Sequence, residues 1–133
     1  MITLVPVDRV DAVWPLAREW LQKATMRTGG ALTTGELWQG CRRGDIFMLV
    51  AHDGETMQGV SLWRPEDWQT GRKLHCLGLG GKNMLAWITD MHKAAKGLAV
   101  DCGASSIVSG GRDGWAKIFP RAKRLWVIYE EPI

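Results

Sequence analysis

The chain has no long apolar run, little cysteine and almost no tyrosine or phenylalanine, and each shortage excludes a class of protein. Its longest uncharged stretches, such as residues 46–52, are far too short to span a bilayer. The opening Met1-Ile2-Thr3-Leu4 has neither the basic start nor the apolar core of a secretion signal, so a cytoplasmic location is the default expectation. The three cysteines, Cys41, Cys76 and Cys102, show no CxxC spacing, which disfavours both a disulfide framework and a zinc site. His75 beside Cys76 makes at most half a metal site. There is no internal repeat, low-complexity tract or linker, and 133 residues suit one domain, residues 1–133.

The composition is that of a packed protein, with 46% hydrophobic and 23% charged residues, which excludes a disordered chain. Eight tryptophans against one tyrosine and two phenylalanines mean that indole supplies most of the aromatic volume, and most of it must be buried or half-buried. The net charge of +3 is uneven. Residues 1–66 hold seven basic and eight acidic side chains, a net −1, and residues 67–133 hold ten and six, a net +4. A weakly basic half suits a phosphorylated small molecule, an acidic protein surface or nucleic acid, but a solvated face explains it equally. It is too weak to assign a nucleic-acid partner.

Residues 1–7 read as a short strand closed by Pro6. Val10, Val13, Ala17, Leu21 and Ala24 recur at helical spacing, with Asp8 and Asp11 as alternative N-caps and Pro15 near the first turn. Thr33-Thr34-Gly35-Glu36 fits a capping box for a second helix that Gly44 ends. Residues 46–52 and 57–63, joined by Asp53-Gly54, predict a hairpin. Residues 64–71, with Pro65, read as a loop, 73–79 as a strand, and Gly78-Leu79-Gly80-Gly81 as the turn that closes it. The longest helix is expected over 83–102, stopped by Gly103, then a strand over 104–109, a helical turn over 115–119 and a last strand over 124–130. The order β-α-α-β-β-β-α-β-α-β describes a mixed α/β domain, a central sheet flanked by helices.

This order, the hairpin with its Gln58-Gly59-Val60 return strand, and Ala99 with Gly103 at a helix end resemble the Gcn5-related N-acetyltransferase (GNAT) superfamily. Val13-Trp14, Gly80-Gly81, Trp87, Gly103 and Gly111-Arg112-x-Gly114-Trp115 resemble, more narrowly, small GNAT-like proteins of phages and prophages. The resemblance implies an acetyl-CoA-dependent N-acyltransferase acting on an amine, with the cofactor between the fourth and fifth strands. Its alternative is a non-catalytic GNAT-fold virion, tail or injected component whose partners are phage structural proteins. A nucleic-acid-directed acetyltransferase is a third reading.

In that superfamily the pyrophosphate sits at the turn into the third helix, on a signature of Arg or Gln followed by spaced glycines. The matching residues are His75-Cys76-Leu77-Gly78-Leu79-Gly80, then Gly81 and Lys82, with histidine at the Arg/Gln place. The resemblance thus implies Gly78, Gly80, Gly81, Lys82 and Arg112 as cofactor contacts. Glycines let backbone N–H groups approach an anion, and a helix N-terminus favours one. For catalysis the expected strand 73–79 carries no carboxylate, so His75 is its one side chain suited to taking a proton near neutral pH. The segment resembling the family's fourth helix lacks the usual tyrosine, which leaves Tyr129, the sole phenol, as proton donor. Each has a plainer reading: His75 as a hydrogen-bonded strand residue, Lys82 and Arg112 as solvated charges, the glycines as packing geometry, Cys76 as a small hydrophobe.

Overall fold

The computed structural model describes residues 1–111 and 115–133. The elements run β1 (Ile2–Leu4), a 3-10 turn (Val7–Arg9), α1 (Val10–Arg27), α2 (Thr34–Arg43), β2 (Phe47–Asp53), β3 (Thr56–Trp68), β4 (Gly71–Gly81), α3 (Met84–Asp101), β5 (Ser106–Ser109) and α4 (Trp115–Ile118). One sheet in the order β1-β2-β3-β4-β5 carries them, antiparallel except for the parallel pair β4–β5. The parallel pair requires a crossover, and α3 supplies it. No helix among the described residues is long and apolar enough to cross a membrane.

Alternation along the strands divides the core between the two faces. Met48, Val50, Val60, Leu62 and Leu77 pack with Val10, Trp14, Ala17 and Leu21 of α1 and with Leu37 and Cys41 of α2. Leu49, Ala51, Trp63 and Leu74 pack with Trp87, Ile88, Met91, Ala95 and Ala99 of α3. The one buried hydroxyl of this second layer, on Ser61, is satisfied: Trp63 Nε1–H donates to it at 2.7 Å and it donates to Met91 Sδ at 3.1 Å. Trp14, Trp63 and Trp87 are buried, and Trp20, Trp38 and Trp68 are half-buried.

Local signals placed several boundaries correctly. Thr33 accepts from the Glu36 amide at 3.1 Å while Glu36 accepts from the Thr33 amide at 3.3 Å, the expected capping box, and Gly44 ends α2 at φ 82°. Strands β2 and β3 form the hairpin about Gly54, whose φ of 62° suits glycine. Neither Asp8 nor Asp11 caps α1, because the 3-10 turn feeds it directly through Arg9. Asp11 instead accepts from Trp38 Nε1 at 2.9 Å and ties α1 to α2.

Three expectations are corrected. Residues 64–68 are not a loop; they continue β3, pairing with 71–75 of β4. Proline is tolerated there because β2 stops pairing at Trp63, so Pro65 has a strand on one side only. Gly78-Leu79-Gly80-Gly81 is not a turn, since β4 runs through Gly81 in register with β3 as far as Gly59. Residues 124–130 form no strand; Leu125 through Tyr129 are apolar and exposed, and a strand-forming sequence that pairs with no described strand gains nothing from extension.

Val60 is fully buried between β3 and α1, whereas Glu55 is exposed in the hairpin turn. Val60→Asp is expected to cost about 3 kcal/mol or more, enough to abolish soluble folding, and Glu55→Ala less than about 0.5 kcal/mol. Thermal melting of the two variants checks both.

Candidate functional site

Where β3 extends past Trp63, its odd and even residues still alternate, so Arg64, Glu66 and Trp68 share the sheet face on which Leu62 packs against α1. His75 lies opposite Arg64 on the same face. The Glu66 carboxylate gathers the group. Its Oε2 lies 2.9 Å from His75 Nδ1 and accepts from Arg64 Nε at 3.0 Å and Nη2 at 2.9 Å. Its Oε1 accepts from Trp68 Nε1 at 2.9 Å. Burial alone would raise the Glu66 carboxyl, but the hydrogen bonds from Trp68, His75 and Arg64 outweigh it and hold the group below the ordinary glutamate range. Glu66 is therefore an anion at neutral pH. Trp68 is itself covered by Trp126, stacked at 5.9 Å with planes 9° apart.

Two residues beyond His75 the β3–β4 ladder is interrupted. Leu62 pairs with Gly78 and Trp63 with Cys76, so Leu77 is an extra residue, a β-bulge. The parallel partner ends at the same point: β5 pairs with 73–76 of β4 and goes no further. From Leu77 to Gly81, β4 has a neighbour on its β3 side alone among the described strands, and alternate backbone groups there point into the gap left by β5. Bulge, gap and His75 thus occupy one stretch of β4.

The glycines expected to cradle phosphate are also used by packing. A Cβ on Gly80 would meet the Trp20 carbonyl oxygen of α1 at 3.0 Å, and one on Gly78 would touch Leu21 at 3.4 Å. Gly81, at φ 151°, faces Gly59 across the ladder, and a Cβ on it would collide with the Gln58 carbonyl oxygen, Gly59 Cα and the Trp87 ring. The Lys82 amide donates to the Gln58 carbonyl at 2.8 Å, and Trp87 Nε1 donates to the Lys82 carbonyl at 2.7 Å. The Lys82 side chain is exposed, one residue before Asn83, the αL residue preceding α3.

Cys76 Sγ lies 3.6 Å from the Gly78 carbonyl oxygen, and burial pushes its thiol up to about 12, so it is not a thiolate at neutral pH. Tyr129 is 88% exposed on the segment after α4. Arg112 lies outside the described residues. Among the described residues, no three potential metal ligands come together. Sequence reasoning missed Glu66, because it searched the fourth strand for a carboxylate and read residue 66 as loop. The 62-64-66-68 alternation was the available signal.

No family model matches the chain, and no curated protein is similar to it in sequence. Its similarities lie with solved structures. A GCN5-related N-acetyltransferase from Ralstonia eutropha JMP134 shares 13% identity at a TM-score of 0.71, over 100% of this chain and 97% of that one. An aminoglycoside acetyltransferase, HMB0005, from an uncultured soil metagenomic sample shares 12% at 0.71, again over 100% and 97%. A predicted acetyltransferase from Clostridium acetobutylicum, solved with acetyl-CoA, shares 12% at 0.65 over 98% and 95%. The chain has the GNAT acetyltransferase fold from end to end.

Because the space beside Gly81 is filled by backbone and by Trp87, Gly81→Val is expected to lower stability by about 2 kcal/mol or more, with or without cofactor present. Differential scanning calorimetry in the presence and absence of CoA measures it.

Proposed function

We propose that the chain is an acyl-CoA-dependent N-acyltransferase, with acetyl-CoA as donor and an amine as acceptor. The observation that carries this reading is the coincidence of the Leu77 bulge with the end of β4–β5 pairing, two residues from His75. The residues fit the cofactor: from Leu77 to Gly81, β4 pairs with no described strand on its β5 side, so its backbone groups on that edge are available to a ligand, and Lys82 adds an exposed positive charge at the entrance to α3. Leu77, Gly78 and Gly80 would hold the cofactor's amide arm through their backbone, and Lys82 and Arg112 its phosphates. When bound, the cofactor supplies an activated acyl group as a thioester.

The chain's own part is positional and electrostatic. Backbone N–H groups at the bulge, fixed by the flanking ladder, are preorganised to stabilise negative charge developing on a carbonyl oxygen. His75 takes the proton from the ammonium form of the acceptor and leaves a neutral amine to attack directly. With Cys76 protonated, no acyl-enzyme on that thiol is involved. Tyr129 is the side-chain proton donor to the departing thiolate, in competition with water. A thiol of ordinary pKa, about 8.5, needs little help, so Tyr129 contributes little.

His75→Ala is expected to lower turnover about a hundredfold and to shift the acid limb of the pH profile, while CoA affinity stays within about twofold. Tyr129→Phe is expected to change turnover by less than about threefold. An amine panel that includes aminoglycosides, followed by release of free thiol, measures turnover, and calorimetric titration measures CoA. A chain that neither binds CoA at millimolar ligand nor acetylates any amine would be the non-catalytic GNAT-fold structural or injected phage component instead.

A further inference from the structure

We propose that Glu66 is a positioning residue for His75: its Oε2 holds the imidazole Nδ1–H and leaves Nε2 as the lone pair that receives the proton. The proposal rests on the reading of His75 as the base of an acyltransferase.

The argument starts from hydrogen-bond inventory. An ionised carboxylate accepts and cannot donate, so the 2.9 Å contact between Glu66 Oε2 and His75 Nδ1 requires the proton on Nδ1. A neutral imidazole with a proton on Nδ1 has a bare Nε2, which is the form a base needs. The contact is diagonal across the ladder, since His75 stands opposite Arg64 and Glu66 two residues further along β3. It therefore fixes both the ring's plane and its tautomer from a neighbouring strand, and strands position more rigidly than loops.

Glu66 is in turn held at both oxygens, by Arg64 at Oε2 and by Trp68 at Oε1. Its side chain keeps 21% of its surface exposed and that of His75 keeps 31%, so solvent reaches the pair without dissolving it. The charged groups on the β3 and β4 face around His75 are Arg64 and Glu66 of β3 and Lys73 of β4. Strand β5 has no charged residue, and the α1 residues buried toward the sheet here, Leu21, Ala24 and Thr25, are uncharged. Trp68, which donates to Glu66, is stacked on Trp126, so the C-terminal segment contacts one of the carboxylate's donors.

The experiment is nitrogen-15 NMR of the histidine rings in the full chain, with Glu66→Ala and Glu66→Gln beside wild type and turnover measured in parallel. Wild type is expected to show His75 mainly as the Nδ1–H tautomer. Glu66→Ala, which has no acceptor, should shift the population toward Nε2–H and lower kcat about tenfold or more with KM within about twofold. Glu66→Gln keeps an acceptor oxygen without the charge and should recover the wild-type tautomer and most of kcat, which separates orientation from a cross-strand ion pair that merely stabilises. A tautomer unchanged in folded Glu66→Ala, or a changed tautomer with kcat intact, overturns the proposal. Failure of the underlying reading is seen separately, in wild-type chain that turns over no amine.

Discussion

The β3–β4 ladder is the constraint on which the rest of the molecule depends. It joins the two core layers, because residues on its one face pack with α1 and α2 and those on its other face with α3. Its register is set partly by what is missing from it. Gly59 and Gly81 face each other beneath Trp87, and Gly78 and Gly80 lie beneath α1, so helix backbone and indole approach the strands closely. A one-residue slip would place side chains where only hydrogen atoms fit and would turn each buried row toward the wrong layer. The glycines that resemble a phosphate cradle are first a packing requirement, and both uses follow from the same property, close approach to bare backbone.

The Leu77 bulge resets the alternation of β4. Leu74 and Cys76 face α3; Leu77 and Gly78 both lie toward α1; Leu79 faces α3 again. Without the extra residue His75 and Gly80, an odd number apart, would lie on opposite faces. With it, the imidazole and the glycine stretch past the end of β5 share the α1 face. The bulge therefore serves geometry twice, re-aiming the strand where its parallel neighbour stops and keeping His75 on the same face as the glycines beyond it.

The parts legible in the sequence were those with local causes. The capping box at Thr33, the αL glycine at Gly44, the turn at Gly54 and the 3.6-residue spacing of α1 each involve residues within a few positions of one another, and each appeared where expected. The extension of β3 did not, because Arg64-Pro65-Glu66-Asp67 has the composition of a loop and becomes a strand only by pairing with 72–75. Local preference gave way to tertiary context there. The C-terminal segment failed in the opposite sense: Leu125 to Tyr129 has every local mark of a strand but pairs with none of the described strands. His75 was legible as a candidate base from its place on the strand, whereas Glu66 depended on the one pairing that composition concealed.

That concealment has a physical origin. Two of Glu66's three partners, Arg64 and Trp68, stand two residues away on its own strand, but they share its face only once the segment is extended, and the third, His75, comes from across the ladder. Desolvation of a half-buried carboxylate opposes the anion, so the donors must together exceed that cost, and the depressed Glu66 carboxyl shows that they do. The result is a fixed anion beside an imidazole at the end of the β3–β4 ladder. A purely structural ion pair gains little from half-burial, since solvent screening leaves an exposed pair nearly as favourable and desolvation penalises a buried one. Half-burial here keeps the carboxylate oriented by three donors while 31% of the His75 side-chain surface stays exposed to solvent, a geometry compatible with the proton transfer proposed for the ring.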